Sequence, residues 1–208
     1  KLNLGANIQQ GDYGHRGEQG LFEYTGFKLY NLAGVPACIT FPAHFRIIEY
    51  PSETNDTADN QYDDDFQGLY LAVEQMDGRF LDQHGLPDGN LYKMEGGGAL
   101  NNQGPTQPSN GSDLSGFVSG YSKNPTESWW RSNFDLPGYY SFRAVTEAIH
   151  NGDIGYGKNY FYYHNPDTDL WSILPWDLDL TWAEGMYGNG DDPFKTRVLY
   201  TDKRYGDV

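Results

Sequence analysis

In "ILPWDLDLTWAEG", Ile173 to Gly185, two acids, Asp177 and Asp179, interrupt an otherwise apolar and aromatic run. A carboxylate taken out of water without a partner is strongly disfavoured, so these two either meet a cation or face solvent. The sequence upstream supplies candidates to join them. "DLPGYYSFRAVTEAIHNG" reads as a helix, with an acid before Pro137, apolar Phe142, Val145, Ala148 and Ile149 along one face, and Asn151-Gly152 as a stop. Asp153 follows at once. Then "KNYFYYH" (Lys158 to His164), the turn "NPDTD" and "LWSILPW" read as two strands of a β-hairpin. The start and end of an antiparallel hairpin lie at one end, so Asp153, Asn159 and Asp177 are expected to converge there. Such oxygen donors suit magnesium, which takes one or two carboxylates together with phosphate and water oxygens.

The order Asp, Asn, hairpin, Asp is also the layout of protein kinases, where the first Asp handles the hydroxyl proton and the other two residues hold metal. Phosphoryl transfer is mostly positioning and charge neutralisation, which explains the order: an orienting carboxylate must stand beside a metal-bound triphosphate. The match to ordinary kinases is loose. Asp153 and Asn159 are one residue further apart than in H-R-D-x-x-x-x-N, and Asp-Leu-Asp replaces Asp-Phe-Gly.

Two longer stretches are more specific. "DFQGLYLAVEQMDGRFLDQHGLPDGNLYKMEGG" (Asp65 to Gly97) and "DIGYGKNYFYYHNPDTDLWSILPWDLDLTWA" (Asp153 to Ala183) resemble the CotH-type kinases. The resemblance implies an α+β, atypical protein-kinase-like fold, dependence on ATP and Mg2+ (or Mn2+), and phosphorylation of serine or threonine hydroxyls on surface or coat proteins. By position it makes Asp153 the catalytic aspartate and Asn159 and Asp177 the metal ligands. It also implies a single domain over residues 1–208, expected to lack part of the N-terminal lobe and to be open to truncation at the C-terminus. The family's phosphate-contacting lysine is expected upstream of Lys1, with Lys93 as the nearest substitute in this chain. A secreted, cell-surface or spore-surface location follows from the same resemblance.

Each further candidate has a plainer alternative. Asp179 is a second metal ligand or a cap for backbone N–H groups in the turn after the strand, with the structural role slightly favoured. Glu74 sits at a strand end near the adenine, or pairs with Lys93, or is an ordinary strand-end acid. Lys93 itself is a nucleotide contact or a strand-edge lysine. "GDIGYGKN" nearly spells a P-loop, but Asn159 replaces the hydroxyl residue, and the segment runs from helix to strand rather than strand to helix. Lys158 remains a candidate phosphate contact. His150 is read as a helix C-terminal histidine facing the dipole. The five tryptophans could stack on sugars, although core positions are the commoner fate.

Other elements must hold these residues in place. "EQGLFEYTGFKLYNLA" (Glu18 to Ala33) is a helix stopped by Gly34 and Pro36; Cys38 to Tyr50 and Gly68 to Gln75 are strands flanking an acidic loop. A short helix or turn, a Pro-Asp-Gly corner and a strand bearing Lys93 come next, and residues 96–126 read as a Gly/Ser/Asn/Pro-rich surface excursion. With 29 acids against 14 bases the chain carries a formal charge of −15, which disfavours nucleic acid as a partner. The resemblance to the CotH-type kinases implies a nucleotide and a protein substrate as partners instead. No apolar run reaches the roughly 18 residues of a membrane span. Cys38, the single cysteine, is expected buried and inert. Two rival readings survive at this level: a pseudokinase or structural coat component, and a calcium-stabilised, carbohydrate-binding surface module.

Overall fold

Aromatic strands close in sequence pair with one another, and the second half of the chain builds a sheet in this way. The computed structural model describes residues 2–5, 18–47, 66–151, 154, 157–179 and 181–182. Strands β1 (Leu2–Gly5), β2 (Thr40–Arg46) and β3 (Phe66–Glu74) form an antiparallel sheet of order β1-β3-β2. Helix α1 (Glu18–Leu32) lies between β1 and β2 in the chain. Beyond helix α2 (Gly78–Gln83), strands β4 (Asn90–Met94), β5 (Ala99–Asn102), β6 (Tyr160–His164) and β7 (Trp171–Pro175) make a second antiparallel sheet of order β5-β4-β6-β7. Helices α3 (Ser112–Tyr121), α4 (Glu127–Asn133) and α5 (Leu136–Ala148) fill the crossover from β5 to β6.

The expected helix over residues 135–152 is α5, somewhat shorter. Asp135 caps it by accepting the Gly138 N–H at 3.2 Å, and Leu136, Tyr139, Phe142, Val145 and Thr146 form its buried face. The expected hairpin is β6–β7, and every residue of β6 is buried. Both faces of this strand are therefore covered, which accounts for its unbroken aromatic run.

Three expectations need correction. Residues 96–126 are not a surface excursion: they contain β5 and α3, and α3 buries Leu114 and Phe117. The strand read from Cys38 starts at Thr40, although Cys38 is fully buried as expected. Lys93 is not on a strand edge, because β4 lies between β5 and β6. The acidic loop before β3 falls outside the described residues, except that Phe66 already belongs to the strand.

The aromatic core explains why α3 and α4 fold over the second sheet. Phe117 stacks on Trp171 at 4.7 Å and 11°, meets Tyr162 edge-on at 5.3 Å, and is flanked by Phe134 and Trp129. Trp130 and Trp171 are buried, and Trp129, Trp176 and Trp182 pack partly buried against the same core. This is the plainer of the two readings given for the tryptophans.

Candidate active site

The β6–β7 register fixes one end of the hairpin. Tyr160 pairs with Pro175 as its last rung, so Asn159 stands one residue before that rung and Asp177 two residues after it. The two predicted ligands thus arrive at the same end of the sheet from opposite strands. Both have left-handed backbones, Asn159 at φ 66° and Asp177 at φ 55°. Asn and Asp tolerate that region best among non-glycine residues. His150 (φ 51°) and Trp182 (φ 52°) adopt it in the neighbouring segments. It is costly for the bulky Trp182, where the chain leaves β7, and surrounding contacts must enforce it there.

Those contacts come from three elements. The Trp182 N–H donates to the Ile149 carbonyl at 2.9 Å, tying the exit of β7 to the end of α5. Thr181 donates its hydroxyl to the Leu178 carbonyl at 2.7 Å, closing the intervening turn. Helix α1 then presses on both. A Cβ on Gly26 would stand 2.9 Å from Leu178 Cδ1 and 3.4 Å from Ile149 Cδ1, so this glycine permits a close approach. The Tyr30 hydroxyl shares a 2.7 Å hydrogen bond with Thr146 Oγ1, anchoring α1 to α5.

This approach delivers a residue that the sequence reading missed. Glu23, one turn before Gly26 on the same helix, has its carboxyl pushed up to about 8, first by burial and then by the negative charges of Asp177 and Asp179. The Leu178 backbone offsets part of this by hydrogen bonding. Three carboxyls from two distant segments are therefore close enough to interact, and the one on α1 is largely buried. Among the described residues, no group of three or more His, Cys, Asp or Glu side chains is arranged to hold a metal ion by itself. The two aspartates beside Glu23 nonetheless fit a cation that brings further oxygen ligands of its own.

The remaining candidates divide. Lys93 lies near the same sheet end, paired with Phe161 one rung from Tyr160, with its ammonium 5.9 Å from the Trp176 ring centre and 2.8 Å from Glu95. Lys158 is close enough to contribute, after Lys93, to lowering the Glu95 carboxyl. Lys93 thus stands beside Trp176, the residue preceding Asp177, with Lys158 near its partner Glu95. The Glu74–Lys93 ion pair does not form: Glu74 meets His84 Nε2 at 3.1 Å and accepts the Ile39 N–H at 3.0 Å, which leaves Lys93 to Glu95. His150 sits just past the helix C-cap, with its Nε2 buried and unbonded. Asp179 occupies the turn closed by Thr181 and lies near Glu23. Asp153 falls outside the described residues, although Asn151 and Ile154 on either side of it are buried.

An α+β protein with two antiparallel sheets, and with an oxygen-rich, acidic site where a hairpin meets two helices, is the class that these features define. The chain belongs to the CotH kinase protein family, whose model matches residues 48–203. A search of curated proteins returned no match. The family match includes β3 through β7 and the whole hairpin, and Glu23 lies ahead of it. No helix among the described residues is long and apolar enough to cross a membrane.

Proposed function

We propose that this chain transfers the γ-phosphate of ATP to serine or threonine hydroxyls of proteins at a cell or spore surface, with Mg2+ or Mn2+ as the metal, on a kinase-like fold. The observation that carries this reading is the convergence of Asn159 and Asp177 at one end of the β6–β7 hairpin, in a chain of the CotH kinase family. The divalent ion would neutralise charge on the triphosphate and on the leaving oxygen. Asn159 and Asp177 would hold it, with Asp179 or Glu23 completing the set through a carboxylate or a bound water. Lys93 and Lys158, at the same sheet end, would steady phosphate oxygens. Glu74, engaged by His84, keeps a structural role at the end of β3. Asp153 would orient the acceptor hydroxyl and take its proton.

The test separates binding from chemistry. Magnesium with ATP should raise the melting temperature where calcium alone does not, because a ligand selective for the native state stabilises it by mass action. Asp177→Asn should abolish that rise while the circular dichroism spectrum stays unchanged. Asp153→Asn should retain nucleotide affinity and lose about 10²–10⁴-fold in transfer rate, the usual worth of a positioned general base. Undiminished magnesium-ATP binding in Asp177→Asn would remove that residue from the site. Calcium alone matching magnesium-ATP would favour the calcium-stabilised module instead.

A further inference from the structure

A second concave site lies about 10 Å along β6 from the candidate active site, taking three residues of strand rise from Tyr160 to Tyr163. It is a pocket of about 240 Å³ between the turn after α1, the start of α5 and the β6–β7 hairpin. Its lining combines apolar residues, among them Val35, Pro36 and Leu86, with the polar Asp135, Asn165 and Ser172. The volume falls below the roughly 300–1,000 Å³ of small-molecule sites. It suits one side chain better than a metabolite.

The charge of the pocket is one-sided. Among the described residues, Asp135 is its one carboxylate and no basic residue lines it. One oxygen of Asp135 accepts the Gly138 N–H, while the other, Oδ2, has no partner among the described residues. Gly138 matters because a Cβ there would meet Asp135 Oδ2 at 2.2 Å and force the carboxylate from its position. Asp88 and Asp167, both exposed, are close enough to Tyr163, another lining residue, to reinforce the rise that burial imposes on its hydroxyl. The surroundings therefore add negative charge to a narrow slot whose one charged group is a carboxylate, in a chain of formal charge −15.

We infer that this pocket takes an arginine or lysine side chain from an extended segment of a partner protein, its methylene stem against Pro36 and Leu86 and its cationic head on Asp135. Basic side chains bury an apolar stem and present a charged end, which matches a lining of apolar residues with one carboxylate. Arginine is the better fit where a carboxylate must be met in a fixed geometry. The site makes no use of Asn159, Asp177 or Glu23, so it stands whether or not the chain transfers phosphate.

The probe is the blocked tripeptide acetyl-Ala-Arg-Ala-amide, titrated into the ¹⁵N-labelled protein and followed by NMR, with the citrulline peptide as an uncharged isostere. Saturable shifts at the Gly34, Gly138 and Ser172 amides are expected with arginine, and at least tenfold weaker binding with citrulline. Asp135→Asn keeps a good helix cap and should weaken arginine binding at least tenfold. Asp88→Asn with Asp167→Asn changes only exposed residues, so it tests the charge field even if the cap variant fails to fold. That pair should weaken binding two- to threefold and flatten its salt dependence. Equal binding of both peptides, shifts confined to other surfaces, or no loss in either variant would overturn the assignment.

Discussion

At the scale of single residues, Glu23 and Asp113 show opposite fates for a partly or largely buried carboxyl. Glu23 is destabilised as an anion by burial and by Asp177 and Asp179, so its folded pKa of about 8 lies above the ordinary 4.5. The folded state then holds a proton that the unfolded state has released, and stability falls as pH rises through that interval. Glu23→Gln should remove this loss: urea midpoints of variant and wild type should converge near pH 4.5 and separate in favour of the variant by pH 8, without magnesium. Asp113 runs the other way. Burial alone would raise it, but hydrogen bonds from Tyr92 (2.6 Å), Asn90 (2.8 Å), His164 and the Leu114 backbone outweigh that and bring it below 3.8. Its contribution is complete above pH 3.8 and fades as pH falls toward the lowered value. Asp113→Asn should therefore cost about 1–3 kcal/mol at pH 7, a gap that closes in acid denaturation below pH 3.8. Asn159 and Asp177 were legible from the sequence because a hairpin enforces their proximity. Glu23 was not, since nothing local links an acid on α1 to a turn some 150 residues later.

At the scale of elements, legibility followed pattern strength against composition. The spacing of Leu114, Phe117, Val118 and Tyr121 is helical, yet Gly111, Gly116, Gly120 and the serines around them suggested loop. The helix forms because Phe117 gains a layer of aromatic rings that outweighs the glycine penalty of about 1 kcal/mol per residue. Strand β5, "ALNN", has no strand signal at all; it is held by β4 and by side chains such as Asn102, whose Nδ2 donates to Asp88 at 2.8 Å and to the Gly89 carbonyl at 2.9 Å. Phe117→Ala should accordingly cost about 3–5 kcal/mol, read as a lower denaturant midpoint at constant m-value. Gly26 tests the seating of α1. Alanine there gains helix propensity and loses packing room, two effects of similar size that leave its sign open. Valine adds bulk against the fully buried Leu178, so Gly26→Val should destabilise by about 1–3 kcal/mol. It should also weaken magnesium-ATP binding by displacing the turn that carries Asp177, which a calorimetric titration would reveal.

At the scale of the whole molecule, the dominant quantity is the formal charge of −15, and two kinds of cation effect follow from it. Diffuse self-repulsion destabilises the folded chain and is relieved by any salt, because the Debye length shrinks from about 30 Å at 0.01 M to about 10 Å at 0.1 M. The melting temperature should therefore climb with sodium chloride over that range and then level off. A second effect is local, because Asp177 and Asp179 lie close enough to the largely buried Glu23 to raise its carboxyl, and a divalent ion seated beside them would favour release of that proton. Magnesium at matched ionic strength should stabilise the protein beyond sodium, and adding ATP should extend the gain. For a chain of this length each kcal/mol moves the melting temperature by about 2–4 °C, so even a modest site would be visible. The excess over sodium should vanish in Asp177→Asn while the sodium response remains. An excess that survives in that variant would locate the cation elsewhere on the acidic surface and separate the metal site from the hairpin end.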